Sequence, residues 1–145
     1  MSELTGLRVA VLATDGVEES ELTEPVKALR EAGAAVTVVS LRPGEIQAVR
    51  HDLDKTIKVK VDRTVREARA EDFDAAHLPG GTVNADSLRA VPEVQAFLRA
   101  MQEAGKPLSA ICHAPWELVS AGLVRGRTLT SYHTIQDDIR NASGH

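Results

Sequence analysis

The sequence predicts an α/β fold built on a doubly wound, mainly parallel sheet, and three observations carry that expectation. Short, mostly apolar runs recur at Arg8–Ala13, Ala35–Leu41, Asp74–Leu78 and Leu108–Ile111, as strands covered on both faces require. Stretches with helical spacing separate them. The runs also end in turn-forming residues: Thr14-Asp15-Gly16, Arg42-Pro43-Gly44 and Pro79-Gly80-Gly81-Thr82. Strands that alternate with helices pair in parallel through right-handed crossovers. Ligands of such sheets bind beyond the carboxyl ends of the strands.

Arg8–Ala13, R-V-A-V-L-A, reads as a central strand. Ser20–Ala32 follows as a helix, with Leu22, Val26 and Leu29 on one face, Ser20 as its cap, Pro25 early enough to be tolerated and Gly33 as its stop. Ala35–Leu41 is the second strand. Ile46–Val49 and Ile57–Val61 alternate apolar with polar residues and read as a short antiparallel excursion, with Asp54–Thr56 as the turn between them. Val65–Asp72 is charged and reads as a helical turn. Asp74–Leu78 is the next strand, and Asp86–Leu88 reads as one turn of helix. Pro92–Ala104 is a helix with proline at its start, Val94, Phe97, Leu98 and Met101 on its apolar face, and Gly105 as its stop. Leu108–Ile111 reads as a buried strand. After Cys112 a helical pattern opens, with Trp116, Leu118, Val119 and Leu123 as core contacts. Arg127–Thr130 is expected as a strand and Thr134–Asn141 as a final helix.

At 145 residues the chain, 1–145, reads as one domain, with enough length to bury a core. It is 43% hydrophobic and 26% charged, with a formal net charge of −4 and no basic cluster, which argues against nucleic acid as a partner. No apolar run approaches the roughly 20 residues that a membrane helix needs. The N-terminus, M-S-E-L-T-G-L-R-V-A, has no signal-peptide pattern, and a single cysteine excludes an internal disulfide framework, so a cytoplasmic location is expected.

Chemistry concentrates at Cys112. A nucleophile between a strand and a helix stands at a sharp elbow, lifted to the sheet's carboxyl edge, where a helix N-terminus favours thiolate over thiol. The bland alternative is a buried small hydrophobe. Three segments fall at the same edge: Gly16–Glu21, Gly80–Asn84 and Cys112–Pro115. One of Glu18, Glu19 and Glu21 reaching the sulfur would hold it, or act as a general base. The backbone N–H groups of the Gly80-Gly81 loop and of the residue after Cys112 would form an oxyanion hole. His113 needs an acid to orient it if it is to assist. Tyr132, the only tyrosine, is a candidate for the border of the site. His51, His77, His133 and His145 show no metal-ligand spacing with each other or with Cys112, so no metal is expected.

Four stretches match a known family together and in order: D-G-V-E-E-S-E-L at Asp15–Leu22, L-P-G-G-T at Leu78–Thr82, A-I-C-H-A-P at Ala110–Pro115, and S-Y-H-T-I-Q-D-D-I-R-N-A at Ser131–Ala142. The chain resembles the ThiJ/PfpI superfamily, specifically the branch of the intracellular protease PfpI (peptidase C56). The resemblance implies a flavodoxin-like three-layer sandwich and a catalytic Cys112 with His113 and Glu21. It places Gly80, Gly81, Glu18 and Tyr132 around the oxyanion and substrate. No cofactor is implied. A homodimer or larger homo-oligomer is.

What the resemblance implies for function is a cysteine enzyme of stress defence acting on reactive-carbonyl or glycated substrates, as a glyoxalase or deglycase-type hydrolase. The alternatives are a cysteine peptidase, or a redox sensor or chaperone using the same thiol. Three departures stand out. Ala85 occupies the position at which some PfpI proteins carry a glutamate that completes a neighbour's triad. Ala114 replaces the usual glycine after Cys-His. The family's C-terminal strand and helix are expected to be lacking after Ser143-Gly144-His145, which would leave a sheet edge uncovered and favour oligomerisation or reduced stability.

Overall fold

A computed structural model describes residues 2–145. Its centre is β1 (Arg8–Leu12), flanked in parallel by β3 (Ala35–Ser40) and β7 (Ala75–Leu78). The short β6 (Arg63–Thr64) extends the sheet beyond β3, and β8 (Leu108–Ala110) extends it beyond β7, so five parallel strands run in the order β6-β3-β1-β7-β8. A smaller sheet joins β2 (Val17–Glu18) in parallel to β4 (Glu45–Arg50), which pairs antiparallel with β5 (Asp54–Lys60).

The period of two along β1 explains the layers. Val11 and Ala13 point to one face, where they meet Leu22 and Val26 of α1 (Glu19–Glu31) and Ile46 and Ala48 of β4. Ala10 and Leu12 point to the other face and join the larger core. That core is filled by Phe73 and by side chains of α2 (Thr82–Arg89), α3 (Pro92–Glu103) and α4 (Pro115–Ser120), with Leu88, Leu98 and Met101 among the fully buried ones. Both faces of β1 are therefore dry, which is why its sequence is continuously apolar rather than alternating. This is the flavodoxin-like three-layer arrangement with a mainly parallel sheet. Among the described residues no helix is long and apolar enough to cross a membrane.

Several local expectations are corrected. Ser20 does not cap α1. It is exposed, and Glu18 holds the cap position without a side-chain cap bond. The β4–β5 turn is His51–Leu53 rather than Asp54–Thr56, with His51 and Asp52 both at positive φ (55° and 65°). The turn predicted at Asp86–Leu88 is the end of the eight-residue α2, which begins directly after Gly81 and is held by burial of Asn84, Ala85 and Leu88. Leu108–Ala110 is a half-buried edge strand rather than the buried strand expected over Leu108–Ile111. Arg127–Thr130 forms no strand. Its neighbour is the chain end, where the Leu129 N–H donates to the His145 carbonyl (2.9 Å) and the His145 N–H to that of Arg127 (2.8 Å). Beside it, a groove of about 530 Å³ lined by Leu108, Leu118, Leu123 and Leu129 lies along β8. The final helix appears as a 3₁₀ turn (His133–Ile135) followed by α5 (Gln136–Asn141).

The face of α4 that turns inward also differs from expectation. Trp116, Leu118, Val119 and Leu123 are only partly buried, whereas Glu117 is 1% exposed, with neither carboxyl oxygen hydrogen-bonded. Burial pushes its carboxyl well above the ordinary value of 4.5. The folded chain therefore keeps a proton that the unfolded chain loses above about pH 4.5, and stability falls as pH rises through that window by up to about 1.4 kcal/mol per unit. Replacing Glu117 by Gln removes this slope. Urea midpoints at pH 5 and pH 8 should fall less in E117Q than in the wild type, and equal falls would show that Glu117 is ionised in the fold.

Candidate active site

The strand-to-helix turn after β8 places Cys112 at the carboxyl edge of the sheet with φ at +63°, a region that a side chain with a Cβ rarely adopts. The surrounding structure enforces this strain. The Ile111 N–H donates to the Leu78 carbonyl (3.2 Å), the Ala114 N–H to that of Ile111 (3.0 Å) and the Tyr132 N–H to that of Cys112 (2.7 Å). The helix that follows begins only at Pro115 and is six residues long. Local N–H groups therefore act on the sulfur, rather than the dipole of a long helix as expected. Those of Gly81 and His113 are directed at it.

Glu21 lies in the first turn of α1, and its carboxyl group comes up beside Cys112 across Gly80. The Gly80 N–H donates to Glu21 Oε1 at 2.9 Å. Gly80 is the separator that fits: a methyl on its Cα would collide with Glu21 Oε1 and stand 2.6 Å from Cys112 Cβ. Gly81 has φ of 97°, and a methyl there would meet the Gly16 carbonyl. Burial raises the Glu21 carboxyl, opposed by the Gly80 N–H and reinforced by the charges of Glu18 and Asp52. Burial also raises the Cys112 thiol from its ordinary 9.0. The Gly81 N–H opposes it, an ionised Glu21 adds to it, and the His113 N–H opposes it again. Each group is thus pushed toward its protonated form, and a proton on either one is favoured over two adjacent anions.

Three anchors fix this pair. Asn84, fully buried, accepts the Thr14 N–H on Oδ1 (2.7 Å) and donates from Nδ2 to the carbonyls of Pro79 (3.0 Å) and Gly80 (2.9 Å), tying the glycine loop to the end of β1. Pro25 cannot donate to the Glu21 carbonyl one turn back, and His77 Nε2 meets that carbonyl instead at 3.0 Å. His77 Nδ1 in turn contacts Ser109 Oγ at 2.8 Å, so β7 and β8 both steady the backbone of the acid. The third anchor is Glu18. Its carboxylate accepts the N–H groups of His51 (2.8 Å) and Asp52 (3.0 Å), holding a turn whose two left-handed residues cost on the order of 1–3 kcal/mol each.

That turn brings Asp52 to the start of α2. Asp52 Oδ1 accepts the Thr82 N–H (2.9 Å), and Oδ2 accepts the Thr82 hydroxyl (2.6 Å). Burial works to raise the Asp52 carboxyl, but the two Thr82 donors and the nearby His113 outweigh it and hold Asp52 below the usual range. His113 is buried, with Nδ1 3.2 Å from Cys112 Sγ and 3.5 Å from Thr82 Oγ1. Its ring stacks on Tyr132 (centroids 4.5 Å apart) and meets Trp116 edge-on at 5.2 Å. Burial lowers its pKa from the ordinary 6.5, with Asp52 opposing and His133 reinforcing the shift.

The structure thus brings Cys112, His113, Glu21, Gly80, Gly81 and Tyr132 together. Glu18 borders the same group, but its carboxylate is occupied by the hairpin turn. Ala85 is fully buried in α2. Among the described residues no cluster of three His, Cys, Asp or Glu side chains could hold a metal ion. Sequence reasoning missed Asp52, Thr82, Asn84 and His77. His77, a polar residue inside an apolar strand, and Pro25, a proline four residues after the key glutamate, together carried a readable signal.

Replacing His77 by Leu leaves the Glu21 carbonyl unpaired and should cost about 1–3 kcal/mol. In a Pro25→Ala background the helix supplies the missing N–H, and the same replacement should cost measurably less in urea unfolding. Equal costs in the two backgrounds would dissociate His77 from that carbonyl.

Comparison with known proteins gives the family. A model of the DJ-1/PfpI family matches residues 7–145. YraA from Bacillus subtilis, whose name describes it provisionally as a cysteine protease, is 40% identical over 135 residues, covering 93% of this chain and 77% of YraA. The deglycase PfpI from Pyrococcus furiosus is 37% identical over 136 residues, covering 94% of this chain and 78% of that protein. Among solved structures, a two-domain protein from Anabaena variabilis with DJ-1/ThiJ/PfpI-like and ferritin-like domains superposes with a TM-score of 0.88 at 33% identity, covering 95% of this chain and 38% of that one. A glycine loop, a strained cysteine and a first-helix glutamate meeting at one sheet edge are thus set in a sequence that belongs to the DJ-1/PfpI family.

Proposed function

We propose that the protein is a cysteine-dependent enzyme of stress defence acting on reactive carbonyls, in the manner of a glyoxalase or deglycase. The observation that carries this reading is the Glu21 carboxyl set beside Cys112 across Gly80, whose N–H holds it, with the Gly81 and His113 N–H groups near the sulfur. The relatedness to a protein named as a deglycase supports it.

With a 2-oxoaldehyde, the Cys112 sulfur adds to the aldehyde carbon, and the carbonyl oxygen takes up the proton shared with Glu21. Developing charge on that oxygen falls where the Gly81 and His113 N–H groups point. Glu21, now ionised, removes the proton from the former aldehyde carbon and returns it to the neighbouring carbon, while the hydroxyl proton passes from the first oxygen to the second. The hemithioacetal becomes the thioester of a 2-hydroxy acid. Water cleaves the thioester, the free thiol returns, and the net reaction adds one water to the oxoaldehyde. A glycated amine offers the same carbon chemistry with the amine as the leaving group. No metal or organic cofactor enters these steps. A cytoplasmic homo-oligomer that engages neither membrane nor nucleic acid completes the reading.

The contact of His113 Nδ1 with Cys112 Sγ at 3.2 Å favours acyl transfer as a second reading, which cysteine peptidases use. Methylglyoxal turnover separates the two. Cys112→Ala should abolish it, and Glu21→Gln should lower kcat by about 10²–10⁴-fold, the range of a general acid–base group. Equal rates in all three proteins would remove the carbonyl reading. Casein cleavage that survives purification and is lost in Cys112→Ala would replace it with the peptidase reading.

A further inference from the structure

A histidine beside a nucleophilic cysteine helps only in one tautomer, and His113 has no carboxylate in direct contact. Its Nδ1 instead faces two atoms, Cys112 Sγ at 3.2 Å and Thr82 Oγ1 at 3.5 Å. The state of the Thr82 hydroxyl decides which hydrogen lies between them. Asp52 accepts from Thr82 twice, with Oδ1 taking the N–H (2.9 Å) and Oδ2 the hydroxyl (2.6 Å). An ionised carboxylate only accepts, so the hydroxyl proton points at Asp52 and the oxygen presents lone pairs to the imidazole. An oxygen with its proton committed can only accept from His113. The contact is then a hydrogen bond only if Nδ1 carries the hydrogen, and that N–H also faces the sulfur, which it stabilises as thiolate.

We propose that Asp52, acting through the Thr82 hydroxyl, is the positioning acid of this site. It fixes the Nδ1–H tautomer of His113 toward Cys112 and completes a Cys-His-acid array from a single chain. The proposal rests on Cys112 being the nucleophile of the proposed function, but not on which substrate it attacks. The acid enters from the β4–β5 turn, a different direction from Ala85, which lies buried inside α2.

The rest of the neighbourhood suits this role. The turn carrying Asp52 is held by two consecutive residues at positive φ, and both amides are bonded to Glu18. Glu18 therefore acts on the sulfur through Asp52, Thr82 and His113 in turn, by aiming Asp52. The imidazole plane is fixed between the stacked Tyr132 ring and the edge of Trp116, so the tautomer is its remaining freedom. The titratable groups that act on it are Cys112 from its own turn, Asp52 from the hairpin and His133 from the segment after Tyr132, with Glu21 across the sulfur.

The Asp52→Asn variant inverts the relay. The Thr82 N–H still needs an acceptor, so the amide oxygen takes the Oδ1 place and the NH₂ faces the hydroxyl. Thr82 then receives a hydrogen bond and donates its own proton to Nδ1, leaving His113 as the Nε2–H tautomer with a lone pair toward the sulfur. Two-bond ¹H–¹⁵N correlation spectra report the tautomer, and iodoacetamide alkylation of Cys112, followed by intact mass across pH, reports the thiolate. The expected result is Nδ1–H in the wild type, Nε2–H in D52N, and about tenfold slower alkylation at pH 7 in D52N, equivalent to one pKa unit.

Thr82→Val, which leaves Asp52 in place, should slow alkylation similarly, and Thr82→Ser should restore it. In a His113→Ala background, Asp52→Asn should cause no slowing. A merely nearby Asp52 charge predicts the opposite sign, since removing a negative charge from the sulfur's surroundings speeds alkylation. An unchanged tautomer, or faster alkylation in D52N, would overturn the proposal. Because alkylation requires no carbonyl turnover, failure of the enzymatic reading and failure of the relay give different results.

Discussion

The structure depends on one close approach. Glu21 Oε1 and Cys112 Cβ both crowd the space that a side chain on Gly80 would fill. This sets a carboxyl group from the first helix beside a cysteine more than ninety residues later in the chain. Neither group would be protonated as it is alone. Burial raises both, and an ionised Glu21 raises the sulfur further. In the proposed chemistry the reactive unit is the pair rather than the cysteine.

Much of the surrounding structure serves to keep two partly desolvated acids at fixed distance. Asn84 uses its whole amide on Thr14, Pro79 and Gly80, so the glycine loop cannot drift from β1. His77 supplies the hydrogen bond that Pro25 withholds from the Glu21 carbonyl. The strain at Cys112, with φ at +63°, is sustained by backbone bonds to Leu78 and Tyr132 on two neighbouring segments. Substitutions in these supports reach the sulfur without touching it.

The fold was largely legible because its strands are covered on both faces. Continuous apolar runs such as Val9–Leu12 have no other stable setting in a chain of this size. Cys112, Glu21 and the Gly80-Gly81 loop were legible too, because a parallel sheet collects strand ends at one edge. Hidden features depended on contacts distant in sequence. The bends at His51 and Asp52 lack turn glycines and exist because Glu18 binds their amides. The helix α2 reads poorly in T-V-N-A-D-S-L-R because tertiary burial of Asn84, Ala85 and Leu88, rather than intrinsic propensity, holds it. The inward turn of Glu117 contradicts the apolar pattern of α4, which sequence periodicity assigns to Trp116.

The central claim is that the Glu21 carboxyl and the Cys112 sulfur share a proton. A ¹³C titration of the Glu21 side-chain carboxyl carbon, in the wild type and in Cys112→Ser, tests it directly. The account predicts a midpoint above the ordinary 4.5 in the wild type, and a shift in that midpoint when the sulfur is replaced. A carboxyl that titrates at 4.5 in both proteins would contradict it.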